Sequence, residues 1–282
     1  MAKRRVVITG LGVISPVEND VESFWQALLA GKSGIGPITT FDSSAFDSQI
    51  AGEVKGFDPL KYMDPKEAKR MEKFAQFAVA ASKQAVSDAQ LDLSRENTER
   101  IGVLIGCGIG SLRIVEQEYK TYLEKGPSRI TPFMVPLMIV NEAAGQVSIL
   151  LGLKGPNSCV TTACASGSNA IGDAFRMIQY GDADIMLAGG TESSITHLGV
   201  GGFCSLKALS RKNDTPEKAS RPFDKLRDGF VIGEGAGVVI LEELKHALKR
   251  NAKIYAEMAG YGMSADAYHM TAPDPSGSGA QR

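Results

Sequence analysis

Short apolar runs alternate with amphipathic stretches along the whole chain. Arg5–Thr9, Arg100–Ile105, Ile185–Ala188 and Lys253–Gly262 have strand length and sit among glycines, so each predicts a strand. Val231–Leu241, with Gly233, Gly235 and Gly237 inside it, predicts a bent hairpin or strand pair, since glycines permit bulges and close backbone approach. Between these runs apolar residues recur at helical spacing. Asp20–Ala30 predicts a helix capped by Asp20 and stopped by Gly31. A second helix opens on Asp64, Pro65 and Glu67 in a capping-box-like start and runs to about Ala89. Leu112–Lys125 is closed by Gly126-Pro127, and Pro136–Leu151 carries Asn141 and Gly145, which suggest close packing on another element. Ala170, Ile171, Ala174, Phe175 and Ile178 mark a helix ended by Gly181, and Glu242–Arg250 marks a short one. Gly34–Gly56 reads as loops with a short strand, and Gly199–Phe203 as a loop. Strands alternating with helices predict an α/β layered fold.

Composition narrows the class. With 282 residues, 43% hydrophobic and 22% charged, the chain is an ordinary globular protein of one large domain or two. A net charge of −1 gives no global field for nucleic acid or membranes. Four cysteines without a C-x-x-C pair or a nearby His argue against zinc and fit reduced thiols in the cytoplasm. The basic start before Val6-Val7-Ile8 resembles a signal peptide only superficially, because Gly10, Gly12 and Pro16 interrupt it, and no apolar run is long enough to span a bilayer. Gly10-Leu11-Gly12 suggests a dinucleotide fingerprint, but Ser15 stands where the third glycine belongs. The glycines of Gly106–Gly110 also lack phosphate-loop spacing.

The candidate chemistry centres on Cys164. A β-like run, Val160–Thr162, leads into Ala163, Cys164, Ala165, Ser166 and Gly167, and a helical pattern follows. A helix N-terminus there would stabilise a thiolate, and the small neighbours leave room for a reactant. A buried structural Cys fits the same local pattern. Lys66, Lys69, Arg70 and Lys73 form a basic cluster that reads as a solvated face or as a docking patch for an acidic partner.

Several motifs in one order extend this picture: VVITGLGVISP, IGCGIG, TACASG around Cys164, GDADIMLAGGTE, RPFD, RDGFVIGEGAG and SADAYHMT. Together they resemble the β-ketoacyl-[acyl carrier protein] synthases of fatty acid synthesis, most of all the long-chain elongating branch. The resemblance implies a thiolase-like fold with αβαβα layers, built from two similar halves with a five-stranded sheet each. Residues 1–251 would form the N-terminal half and 252–282 the beginning of the second.

The implied reaction is a decarboxylative Claisen condensation. Cys164 takes the acyl group from acyl carrier protein, and a malonyl-loaded carrier then loses CO2 and extends it to a 3-oxoacyl product. The resemblance further implies acyl-pocket roles for Ile109, Met134 and Phe203, with Met134 reaching across a homodimer. Phe230 would shield the malonyl site, and Asp266 and Thr271 would lie on a loop touching the pantetheine. Lys66, Lys69, Arg70, Arg129 and Lys207 would dock the acidic carrier. No cofactor or metal is implied, because phosphopantetheine arrives on the carrier. The family's two active-site His and a Lys belong to motifs beyond Arg282, and His197, His246 and His269 match none of them. The isolated chain is therefore expected not to condense. Two other readings are a non-catalytic fragment and a chain-length-factor-like partner subunit; such subunits replace the nucleophile, which is kept here. A cysteine hydrolase elbow would need glycines where Thr162 and Ser166 stand.

Overall fold

A computed structural model describes residues 3–282. The chain opens with β1 (Val6–Ile14), α1 (Val21–Leu29), and the short β2 (Gly36–Pro37) and β3 (Ile50–Ala51). Next come α2 (Pro65–Ala68), α3 (Lys73–Asp88), β4 (Ile101–Gly106) and α4 (Leu112–Lys125). Then follow α5 (Met134–Met138), α6 (Glu142–Leu151), β5 (Asn157–Ser158), α7 (Ser166–Tyr180) and β6 (Ile185–Glu192). The chain finishes with α8 (His197–Ser205), β7 (Gly235–Glu243), α9 (Leu244–Lys249), β8 (Ala256–Glu257) and α10 (Ser278–Gln281).

The main sheet is six-stranded and mixed, in the order β5-β4-β6-β7-β1-β8. β4 runs parallel to β5 and β6, while β7 is antiparallel to β6 and β1. Five strands come from residues 1–251 and the two-residue sixth, β8, from the segment after them. The period of two along each strand sorts side chains to opposite faces. Ile101, Val103, Ile105, Leu187 and Ile240 pack with Phe74, Phe77 and Ala81 of α3 and with Ala143, Ala144 and Val147 of α6. Leu104, Met186, Ala188 and Leu241 pack with Ala170, Ala174, Phe175 and Ile178 of α7. Phe74 and Phe77 are 0% and 1% exposed, and burying each contributes about 2 kcal/mol. α7 thus packs on the sheet face opposite α3 and α6, and its first turn is the site's foundation.

β1 continues to Ile14, well past the predicted end at Thr9, because Gly10 and Gly12 serve packing. A Cβ at Gly10 would lie 2.3 Å from the Ala85 carbonyl oxygen, and one at Gly12 would lie 1.9 Å from that of Ala81. The G-x-G lets α3 lie directly on the strand.

Other departures have local causes. The helix predicted from Asp64 to Ala89 is two helices, α2 and α3. Glu72 turns inward at the break, accepting from Ser111 Oγ at 2.8 Å and pairing with Arg113 at 2.6 Å. Gln76 Nε2 donates to the freed carbonyls of Ala68 and Met71. The helix predicted over Pro136–Leu151 begins at Met134 and is likewise divided, at Ile139 in extended conformation. A Cβ at Gly145 would meet nothing within 4 Å, so Ala143, Ala144 and Val147 carry that helix's packing instead. Gly199–Phe203 is helical, inside α8, because Thr196 Oγ1 caps the Gly199 N–H at 3.1 Å. Val231–Leu241 is no hairpin: β7 is one strand paired on both sides. The strand expected over Lys253–Gly262 shrinks to β8, and the Val160–Thr162 run is not a strand. Pairing with β4 falls at β5 instead, before the chain bends toward Cys164.

Candidate active site

Cys164 sits in a 3-10 turn, Ala163–Ala165, that runs straight into α7. Ala163 has φ +51°, a left-handed value for a residue with a Cβ, at a cost on the order of 1 kcal/mol. Ser166 holds the turn: its hydroxyl donates to the Ala163 carbonyl at 2.6 Å and accepts from the Thr162 N–H at 2.9 Å. The sheet holds it from below. A Cβ at Gly106 would come within 2.3 Å of the Ser166 carbonyl, and one at Gly190 within 3.0 Å of Gly167 Cα. The first turn of α7 therefore rests directly on the ends of β4 and β6. It has no side-chain cap, so its N–H groups and positive dipole end face the Cys164 turn unneutralised by a side chain.

A cavity of ≈ 650 Å³ opens over Cys164. Its lining includes Ile109, Phe203 and Phe230, together with Cys107 and Glu192. Phe203 and Phe230 meet edge to face at 5.2 Å between ring centroids. Two thiols share the cavity, but only one is suited to attack. Cys164 is exposed and Cys107 is buried. Burial, aided by the nearby Glu192 charge, pushes the Cys107 thiol up to about 12, leaving it protonated at neutral pH. Burial also pushes up the Cys159 thiol.

Glu192 is the cavity residue that sequence reasoning left without a role. It is half-buried, and its Oε2 accepts from the backbone N–H groups of Gly108 and Ile109, each at 3.0 Å. Its Oε1 accepts from Ser194 Oγ at 3.0 Å and from the Ser193 N–H at 3.3 Å. Burial pushes its carboxyl above the usual range, against these hydrogen bonds. The only sequence signal was its place at the end of a buried glycine-rich strand.

The remaining predicted residues are spread more widely. Met134 is half-buried at the start of α5, and neither it nor Asp266 nor Thr271 is among the cavity's lining. Asp266 and Thr271 lie on the exposed segment after β8, where Asp266 accepts from the Asp274 N–H at 3.0 Å. Lys66, Lys69 and Arg70 are exposed together on and just after α2. The Arg70 guanidinium lies 5.6 Å from the centre of the Phe133 ring, joining that patch to the start of α5. Arg129 is exposed a few residues earlier, and Lys207 is exposed on the turn after α8.

Among the described residues no His lines the Cys164 cavity. His197 packs against Phe41 in a tilted arrangement at 4.4 Å between centroids. His246 lies between Glu242 and Glu96, and His269 accepts from the Thr271 and Ala272 N–H groups. In a second cavity of ≈ 510 Å³, Glu72 pairs with Arg113, Lys73 with Glu234, and His197 lies beside Glu116. Among the described residues no helix is long and apolar enough to cross a membrane.

Comparison with known proteins agrees with this geometry. The family model for the β-ketoacyl synthase N-terminal domain matches residues 3–247. A 3-oxoacyl-[acyl-carrier-protein] synthase 2 from Synechocystis is 57% identical over all 282 residues, which span 68% of that protein. The protein of the same name from Coxiella burnetii is 56% identical over 279 residues, 99% of this chain and 67% of its own length. A solved type II polyketide ketosynthase, in complex with its acyl-carrier protein and bound to the hexaketide, superposes with a TM-score of 0.85. It is 36% identical, and the match covers 98% of this chain and 67% of that one. With an exposed cysteine at the start of a helix seated on a thiolase-like sheet, and with these matches along its whole length, the chain belongs to the β-ketoacyl synthase family.

Proposed function

We propose that this chain carries the acyl-accepting part of a fatty acid elongating synthase. Cys164 Sγ attacks the carbonyl carbon of an acyl thioester borne on the phosphopantetheine of acyl carrier protein. A new S–C bond forms, the carrier's S–C bond breaks, and the carrier thiol leaves with the proton. The uncapped N–H groups at the start of α7 favour the negative oxygen that develops in between. In the full reaction a malonyl carrier then loses CO2, and the resulting enolate carbon displaces Cys164 to give a 3-oxoacyl carrier two carbons longer.

The roles follow position. Ile109 and Phe203 wall the acyl chain, and Phe230 stands on the malonyl side. Met134 acts in a homodimer, and Asp266 and Thr271 act on the pantetheine. Lys66, Lys69, Arg70, Arg129 and Lys207 receive the acidic carrier, which speeds encounter and sets orientation. No cofactor of the chain's own is needed, and the setting is cytoplasmic. Residues 1–251 act as the nucleophile-bearing half, in line with a family match that ends at residue 247, and 252–282 begin the second.

One observation carries this reading: the Cys164 cavity holds an accessible thiol and apolar walls but, among the described residues, no His to donate to an enolate oxygen. The chain on its own accepts an acyl group and does not condense it. Incubating purified chain with acyl- and malonyl-loaded carrier tests both parts. The expected result is an acyl adduct on Cys164 and no 3-oxoacyl product. Release of that product overturns the second part, and absence of the adduct overturns the first.

A further inference from the structure

Glu192 has a bonding pattern that packing alone does not require. Its Oε2 takes both successive N–H groups of Gly108 and Ile109, and its Oε1 takes Ser194 Oγ and the Ser193 N–H. Among the described residues no Lys, Arg or His forms an ion pair with it. Such a carboxylate is held by hydrogen bonds rather than by a cation, and two of those bonds go to a loop.

That loop joins β4 to α4. On either side of the clamp its backbone is held elsewhere: the Cys107 N–H donates to the Val160 carbonyl at 3.2 Å, and the Ser111 N–H donates to the Met138 carbonyl at 3.4 Å. Of the three amides between, those of Gly108 and Ile109 go to Glu192. Ile109, on this loop, is 37% exposed and forms part of the wall facing Cys164. The side chain that fixes the Ile109 backbone therefore fixes how far the wall stands from the nucleophile.

We propose that Glu192 is a positioning residue: it clamps the Gly108–Ile109 backbone and so sets, through Ile109, which acyl lengths reach Cys164. The inference rests on the acyl-transfer reading above. Without the clamp the loop is free to withdraw, the wall opens, and longer chains gain relative to shorter ones. A glutamine can still offer one oxygen to both amides, whereas an aspartate is one methylene too short.

The test compares rates of Cys164 acylation by butanoyl and dodecanoyl pantetheine thioesters, followed by intact mass. Glu192→Ala should raise the dodecanoyl-to-butanoyl ratio about fivefold, the effect of roughly one hydrogen bond. Glu192→Asp should do the same, and it carries the test if the alanine variant does not fold. Glu192→Gln should stay within about twofold of the parent ratio, since its amide oxygen preserves the clamp. In an Ile109→Ala background, Glu192→Ala should add nothing, because the two residues act through one wall. Amide hydrogen exchange at Gly108 and Ile109 should quicken in the Ala and Asp variants and hold in the Gln variant. An unchanged ratio and unchanged exchange in the Ala or Asp variant overturn the clamp while leaving acyl transfer intact. A full shift persisting in the Ile109→Ala background also overturns it. A parent chain that takes up neither thioester overturns the acyl-transfer reading, and the inference falls with it.

Discussion

Two glutamates stand at opposite ends of β6, and the chain treats them in opposite ways. Glu192 ends the strand beside Cys164, while Glu242 pairs in register with Ile185 at its start. Glu242 is fully buried. Arg250 grips it at 2.7 Å, His246 Nδ1 lies 2.7 Å away, and Thr9 Oγ1 donates at 2.8 Å. Burial pushes its carboxyl up, but these partners outweigh burial and hold it below the usual range. Glu192 has no such cation among the described residues, only hydroxyl, thiol and amide donors, and its carboxyl stays above that range. The first arrangement locks β7 to α9 and completes a structure. The second leaves a carboxylate in a cavity wall, holding a loop that borders the same cavity as Cys164. A cation compensates the carboxylate at one end of the sheet, and a loop's own amides compensate the one at the end beside Cys164.

The largest expected effect breaks the Glu242 end. Glu242→Ala leaves Arg250 and His246 facing an empty site and should cost about 3–5 kcal/mol of folding stability, read from denaturant midpoints. A loss below 1 kcal/mol would erase the contrast. Gly106→Ala acts at the end beside Cys164, forcing a Cβ against the Ser166 carbonyl. It should cost about 1–3 kcal/mol and slow Cys164 acylation as well, since the clash lies under the nucleophile's turn. Reversing Lys66 and Lys69 to Glu should raise KM for carrier-bound acyl groups about tenfold, with the rise shrinking in added salt. An unchanged, salt-insensitive KM would remove α2 from the docking surface.

The smallest effect is the pH dependence, and the two glutamates give it opposite signs. The stabilisation from Glu242 is complete above the ordinary glutamate pKa and is lost as pH falls through its lowered folded value. Glu192 binds its proton more tightly when folded, so stability declines as pH rises from the ordinary value through the raised one. Glu192→Gln should remove the decline and leave the acid limb in place. A parent-like decline in that variant would show that the slope arises elsewhere.

The sequence made the α/β order and the Cys164 turn legible because both are local. Leu112–Lys125 has its cap, apolar stripe and closing glycine within a few residues, and the helix has those bounds in the fold. Small residues flanking Cys164 leave it accessible, as the exposed thiol shows. What escaped depends on partners distant in sequence. The helix break before α3 arises because Glu72 binds Arg113, 41 residues away. Glu192 reaches Gly108 and Ile109, 84 and 83 residues away, and no local pattern announces that reach. In Gly199–Phe203 the glycines pointed to a loop, while the decisive signal was the single capping Thr196 just before them.

The most direct test of the central claim is peptide mapping after exposure to an acyl pantetheine thioester at neutral pH. The cavity holds two thiols, of which Cys107 is buried and pushed up to about 12 while Cys164 is exposed. The acyl mass should appear on the Cys164 peptide alone and vanish in Cys164→Ala. Acylation of Cys107 instead, or an adduct that survives in Cys164→Ala, would contradict the assignment of Cys164 as the nucleophile.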